Sequence, residues 1–214
     1  MDEASTTQQT TPAAAWREMS RGNDRFVTGT PRHPRQDVER RQELIGWQAP
    51  RAALFGCSDS RLAAEIIFDK GIGDLFVIRN AGQVVTDSAI GSLEYAVAIL
   101  NVPLIVVLGH DECGAVQAAI DAEKPDAEPL PPYIDGLVQK IVPAVREAYA
   151  ADQSSPQPDP SEVGRLHLRH TIEELLERSE IISGAVAAGT LAVVSANYRL
   201  AEGRVVADTV VGVI

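Results

Sequence analysis

The sequence predicts an α/β fold with a central, mostly parallel sheet of four strands, an antiparallel fifth strand and helices on both faces. Short apolar, β-rich runs alternate with helical patterns along the chain, and this alternation is typical of a parallel sheet. The run in residues 104–109 is uninterrupted Leu, Ile and Val before Gly109, as expected for a strand covered on both faces. A tight turn at Glu202-Gly203 joins the last two strand-like runs, so the fifth strand should form a hairpin.

The elements follow one another in a regular order. Strands are predicted at residues 52–57, 75–80, 104–109, 191–196 and 204–207. Helices are predicted at residues 13–27, 38–47, 62–68, 87–100, 113–122, 134–149 and 162–187. Pro143 should kink the sixth of these helices, and the last should break around Ser183-Gly184.

Length and composition favour one domain. A chain of 214 residues, 45% hydrophobic and 23% charged, can bury a single core. Residues 1–12 are polar and lack periodicity, so we expect them to be disordered. The domain should therefore span residues 13–214. Its extended first helix carries Trp16 and Phe26 with little local core to cover them, so we expect it to pack on a partner subunit.

The charge of the chain narrows the choice of partners. A formal net charge of −11 and a pI near 4.8 oppose binding to nucleic acid or to an anionic membrane. The first residues contain no basic segment followed by an apolar one, which predicts a cytoplasmic protein. The longest apolar run is too short to span a bilayer. In a reducing compartment the two cysteines should remain unpaired.

Cys57 and Cys113 each follow a predicted strand, and His110 lies three residues before Cys113. Ligands of open α/β sheets bind at the carboxyl ends of the strands. If the two strands are neighbours, two thiols and one imidazole meet there. This donor set suits zinc, and three protein ligands leave one position open for water or substrate. The alternative is a pair of buried cysteines without metal.

Asp59 and Arg61 follow Cys57 at intervals of two and four residues, which structural cysteines do not require. An arginine can hold a carboxylate through two hydrogen bonds, fixing its orientation and keeping it ionised. Such an anion beside a zinc-bound water can only accept a hydrogen bond. The pair therefore favours a catalytic zinc over a metal-free core.

Together these stretches resemble the signature of the β-class carbonic anhydrases, over roughly residues 13–210. The matching stretches are Gly22-Asn23-Asp24-Arg25-Phe26, Cys57-Ser58-Asp59-Ser60-Arg61, Phe76-Val77-Ile78-Arg79-Asn80-Ala81-Gly82, Ser92-Leu93-Glu94-Tyr95-Ala96 and His110-x-x-Cys113-Gly114. The resemblance implies one Zn²⁺ per chain bound by Cys57, His110 and Cys113, with Asp59 and Arg61 as a catalytic dyad. It also implies a homodimer or a tetramer with its active site near the subunit interface.

The expected function is a zinc lyase that reversibly hydrates carbon dioxide to bicarbonate and a proton, by zinc-bound hydroxide that the dyad orients. Two alternatives use the same residues. In one, Asp59 takes the fourth zinc position and the protein serves binding or assembly. In the other, the substrate is carbonyl sulfide or carbon disulfide.

Some members of this family also carry a regulatory bicarbonate pocket. Arg79 and Tyr198 match its pattern, but Leu54 stands where the pattern has a tryptophan. The sequence therefore does not decide whether this chain has the regulatory site. His167 and His170 are three residues apart on a predicted helix. Without nearby cysteine or acidic partners, both are expected at the surface.

Overall fold

The computed structural model describes residues 10–153, 155 and 157–214. Of the segment predicted to be disordered, residues 1–9 lie outside the described residues and 10–12 lie within them. Pro12 already begins the first helix, and the preceding Thr11 caps it by accepting a hydrogen bond from the backbone N–H of Ala14 (3.2 Å). No helix in the described ranges combines the length and the hydropathy needed to cross a membrane.

Five strands form one sheet in the order β2-β1-β3-β4-β5. Their bounds are β1 Ala52–Cys57, β2 Leu75–Asn80, β3 Leu104–His110, β4 Ala192–Arg199 and β5 Arg204–Val211. The first four strands are parallel, and β5 is antiparallel to β4, as predicted. Every residue of β1 and β3 is buried, because helices cover both faces of the central strands.

Nine α-helices occur in the described part of the chain. They are α1 Pro12–Val27, α2 Val38–Glu43, α3 Ala64–Ile67, α4 Asp87–Ala98, α5 Gly114–Ala122, α6 Pro132–Val138, α7 Val142–Ala151, α8 Pro160–Arg178 and α9 Glu180–Ala187. A short 3₁₀ turn, Ala81–Gln83, follows β2. The predicted positions are largely confirmed, although α2 and α3 are shorter than predicted.

Two helix boundaries differ from the prediction. Residues 134–149 do not form one kinked helix, because Pro143 lies in the first turn of a separate helix, α7, where its missing N–H costs nothing. The break in residues 162–187 lies at Ser179 and not at 183–184. The Ser179 hydroxyl oxygen accepts from the backbone N–H of Ile182 (3.1 Å), and the hydroxyl donates to Glu94 on α4 (2.7 Å). Ser179 thus caps the new helix and also links it to α4.

Each face of the sheet carries its own apolar cluster. One cluster joins the sheet to α1, α3, α5, α6 and α7, and the other joins it to α4 and α9, with α8 contributing to both. Alternate residues of β1 therefore enter opposite clusters, Leu54 the first and Phe55 the second. This sandwich holds the ends of the strands in fixed register.

The first helix packs on its own chain, contrary to the expectation that it lacks a local core. Ala15 and Met19 are buried. Asn23 donates to the carbonyl oxygens of Ile67 (3.2 Å) and Gly203 (2.8 Å). The buried face of α1 thus contacts the end of α3 and the β4–β5 hairpin.

Candidate metal centre

Three potential metal ligands converge where β1 and β3 end. The two strands are neighbours, with Gly56 opposite Leu108. The predicted convergence of the three ligands depended on this pairing. Cys57 is the last residue of β1, His110 is the last of β3, and Cys113 is the residue that caps α5. Their donor atoms all lie within 4.8 Å of one another, and all three residues are buried. Both cysteines are free.

The imidazole of His110 is oriented for a ligand. Its Nδ1 lies 2.8 Å from the carbonyl oxygen of Asp111, which can only accept, so Nδ1 carries the proton. The other ring nitrogen, Nε2, is buried and has no hydrogen-bond partner among the residues that the structure describes. A buried polar atom without a partner is costly, and a metal ion would satisfy it. A carbonyl-bound histidine with one free nitrogen is the usual arrangement of a metal-binding imidazole.

The two thiols interact with each other. The hydrogen bond between the two thiols lowers the pKa of Cys57, against the effect of burial, and raises the pKa of Cys113. The backbone N–H of Gly82, whose nitrogen lies 3.4 Å from Sγ, also favours the Cys57 thiolate. Since the thiolate is the form that binds metals, Cys57 is prepared as a ligand. The donor set of two sulfurs and one nitrogen fits Zn²⁺.

Asp59 and Arg61 form a close pair beside this cluster. The backbone N–H and Nε of Arg61 both donate to Asp59 Oδ1 at 2.9 Å, and Nη2 donates to Oδ2 at 2.7 Å. These bonds hold the pKa of Asp59 well below its usual range. Asp59 Oδ2 lies 3.9 Å from His110 Nε2. The carboxylate therefore borders the convergence point of the three ligands while Arg61 fixes its orientation.

Arg79 positions the turn that carries this pair. Its Nε donates to the carbonyl oxygen of Cys57 (2.9 Å), and its Nη2 donates to that of Asp59 (2.6 Å). The sequence match that linked Arg79 to a bicarbonate pocket did not predict these backbone contacts. Leu54 is fully buried in the core of β1 and Tyr198 is buried on β4, so neither is an exposed pocket residue in this chain.

A cleft of about 420 Å³ opens beside His110 and Cys113, and Gln117, Ser161 and Asn197 also line it. It connects the cluster with the start of α8. This cleft borders two of the three candidate ligands.

His167 is buried, and the expectation that it lies at the surface is wrong. Only 3% of the residue is exposed, and Nε2 lies 2.7 Å from the carbonyl oxygen of Gly82. The sequence did contain one signal of this burial. His167 lies four residues after the apolar Val163, and residues i and i+4 share a helix face. His170 is partly exposed and lies 2.6 Å from Glu147 Oε2. The two histidines thus have separate partners.

Comparison with known proteins agrees with this geometry. The family model described as carbonic anhydrase matches residues 52–205. Carbonic anhydrase 2 of Mycobacterium tuberculosis is 47% identical over 197 residues, covering 92% of this chain and 93% of that protein.

Two solved structures share the fold. A tetrameric β-carbonic anhydrase from Sordaria macrospora has 27% identity and a TM-score of 0.68, covering 78% of this chain and 84% of that one. A Coccomyxa β-carbonic anhydrase in complex with acetazolamide has 25% identity and a TM-score of 0.70, covering 80% and 78%. With the family model matching most of the chain and a relative of 47% identity along nearly its whole length, this protein belongs to the β-class carbonic anhydrase family.

Proposed function

We propose that this protein reversibly hydrates carbon dioxide to bicarbonate and a proton, with one Zn²⁺ per chain bound by Cys57, His110 and Cys113. The observation that carries the proposal is the buried cluster of two thiols and an imidazole whose Nε2 lacks a hydrogen-bond partner in the described part of the chain. Membership of the carbonic anhydrase family agrees with it.

Each protein group has a separate task in this proposal. Bound zinc supplies a Lewis acid that makes water nucleophilic near neutral pH. The Cys57 and Cys113 sulfurs and His110 Nε2 hold the metal, and the Asp111 carbonyl oxygen keeps the His110 ring in the tautomer that leaves Nε2 free.

Asp59 orients the reacting water in the proposed mechanism. Because Arg61 keeps Asp59 ionised, the carboxylate can only accept a hydrogen bond, so a water O–H must point toward it. The water lone pair is then directed away from Asp59, toward the carbon atom of the substrate. Preorganised polar groups of this kind need no rearrangement during the reaction.

Arg61 has a second use. Half of its side chain is exposed, so it places a positive charge at the edge of the site, where the anionic product forms and leaves.

The decisive test is stopped-flow hydration of carbon dioxide across pH, on protein whose zinc content has been measured. We expect one zinc per chain, activity that rises toward alkaline pH, and inhibition by acetazolamide, the molecule bound in the Coccomyxa relative. His110→Ala is the metal-free control, and His170→Ala controls for loss of a histidine elsewhere.

Two results would redirect the assignment. Full zinc without hydration would favour the non-catalytic binding or assembly protein. Faster turnover of carbonyl sulfide or carbon disulfide than of carbon dioxide would favour the alternative hydrolase.

For assembly we propose a homodimer as the smallest stable species, since a structural relative is tetrameric. Sedimentation velocity at several concentrations tests this, and a monomer at micromolar concentration would contradict it. The cytoplasmic location remains a prediction.

A further inference from the structure

A chain of two buried hydrogen bonds connects α8 with a proposed zinc ligand. His167 Nε2 lies 2.7 Å from the carbonyl oxygen of Gly82, and the backbone N–H of the same Gly82 donates to Cys57 Sγ at 3.4 Å. Gly82 therefore bonds to the histidine through its carbonyl oxygen and to the sulfur through its N–H. His167 is 110 residues away from Cys57 in sequence (167 − 57), so only the fold brings them together.

The backbone conformation at position 82 favours glycine. Its φ of +75° lies in the left-handed region, which glycine adopts without a steric penalty. A Cβ at this position would lie 2.9 Å from both the Cβ of Ala115 and the Cδ1 of Ile141. Close packing and backbone conformation thus allow only glycine here, and they bring its N–H near the sulfur.

The turn around Gly82 is fixed at its ends by Asn80. The side chain of Asn80 accepts from the backbone N–H of Val84 (2.9 Å) and donates to the carbonyl oxygen of the same residue (2.8 Å). Asn80 therefore closes the turn, but it makes no bond to its middle. His167 supplies that contact.

His167 can act only as a donor to Gly82. A carbonyl oxygen accepts, so Nε2 must carry the proton. Burial lowers the pKa of His167, and the ring is therefore neutral at physiological pH. The bond to Gly82 then fixes which nitrogen is protonated.

We propose that His167 is a positioning residue for the metal centre, holding Gly82 so that its N–H donates to the Cys57 thiolate. An amide donor spreads part of the negative charge of the sulfur and fixes its direction. Such outer contacts change metal affinity by roughly 10- to 100-fold. The inference rests on the proposed zinc site, and it assigns to His167 no contact with substrate.

The test compares His167→Gln with His167→Met. The two side chains have similar length and volume, but Gln presents an N–H donor close to the position of His Nε2, and Met presents none. His170→Met makes the same substitution three residues away, outside this chain of bonds.

Two readouts do not depend on carbon dioxide hydration. Zinc affinity is measured by competition with a chelator of known affinity. The cobalt-substituted protein reports the thiolate bonds through its sulfur-to-cobalt charge-transfer absorption. We expect His167→Met to bind zinc about tenfold or more weakly and to shift the charge-transfer band, while His167→Gln stays within about threefold of wild type.

Equal zinc affinity and equal spectra for the Met and Gln variants would overturn the proposal. If the Met variant does not fold, the wild type still decides the matter. In ¹¹³Cd-loaded protein labelled with ¹⁵N-glycine, the Gly82 amide proton should show scalar coupling to cadmium through the sulfur, and absence of this coupling would refute the N–H···S contact.

These results separate the inference from the proposed function. Wild-type protein that hydrates carbon dioxide, with no difference between the Met and Gln variants, removes only the role of His167. Weaker zinc binding by the Met variant alone, in a protein that never hydrates carbon dioxide, supports the role of His167 and removes the proposed function.

Discussion

Replacing Asp59 with asparagine distinguishes a catalytic role of this carboxylate from a structural role. The carboxylate accepts three hydrogen bonds from Arg61, two at Oδ1 and one at Oδ2. Asparagine keeps the shape of the side chain but has one acceptor oxygen and one NH₂ group. If the oxygen faces the two donors to Oδ1, the NH₂ group occupies the Oδ2 position near His110 Nε2. A reacting water then meets a donor where it needs an acceptor.

Asp59→Asn should have a large effect on kcat and a small effect on the free energy of unfolding. Loss of one preorganised polar group in an active site typically lowers kcat by about 10²- to 10³-fold, which corresponds to about 2.7–4 kcal/mol of barrier. The Asp59–Arg61 pair is partly solvated, with side-chain exposures of 17% and 50%. We therefore expect the free energy of unfolding to change by less than about 1 kcal/mol. Zinc content should remain at one per chain because Asp59 is outside the three-ligand cluster.

The assay is stopped-flow hydration at matched zinc content, with urea denaturation on the same preparations. Asp24→Asn is the matched control, since Asp24 also pairs with an arginine, Arg204, at 3.3 Å but lies on an exposed surface. Undiminished hydration by Asp59→Asn would refute the orienting role. Loss of zinc together with activity would show that Asp59 acts on the metal site itself.

Three further predictions test the metal site and the fold. Cys113→Ser should reduce bound zinc below about one tenth per chain, measured by atomic emission, and full retention would remove Cys113 from the ligand set. Gly22→Ala should lower the free energy of unfolding by at least about 2 kcal/mol, because its Cβ would lie 1.8 Å from the carbonyl oxygen of Phe68. The control Gly164→Ala, in open space on α8, should be neutral or stabilising by up to about 1 kcal/mol, and equal effects would contradict the docking of α1 on its own chain. Asp69→Asn should cost about 3 kcal/mol at pH 7 in urea denaturation, because its buried carboxylate accepts from an arginine and two backbone N–H groups. These bonds outweigh burial and lower the pKa of Asp69, so its stabilisation is present above the unfolded pKa near ~3.9 and is lost as the pH falls through the folded value. The difference from wild type should therefore shrink below about pH 4, and a difference that grows there would reverse the argument.

The fold class was predictable because its signals are local. Runs of six residues, rich in apolar and β-forming side chains, predicted β1, β2 and β3 within one residue of their bounds. Uninterrupted hydrophobicity indicated that β3 is covered on both faces. The Glu202-Gly203 turn predicted the β4–β5 hairpin. Cys57, Asp59, Arg61, His110 and Cys113 lie at or just after the ends of two such strands, so strand prediction alone brought them to one edge of the sheet.

Only the tertiary structure decided contacts between residues distant in sequence. At the break between α8 and α9, Ser179 bonds to Glu94 on another helix, and sequence periodicity carries no record of that neighbour. The first helix bonds to residues 44 and 180 positions further along the chain. Its sequence shows only that one face is apolar, and says nothing about which surface covers it.

The same reason explains what the sequence missed at the metal centre. The His167 imidazole looked like a surface group because no cysteine or carboxylate lies near it in the sequence, yet its partner is the backbone of Gly82, 85 residues away. The sequence determined which residues can bind a metal, since that depends on side-chain chemistry and on where strands end. Packing alone decided how those residues are oriented, because backbone carbonyl and amide groups are identical at every position until the fold assigns them partners.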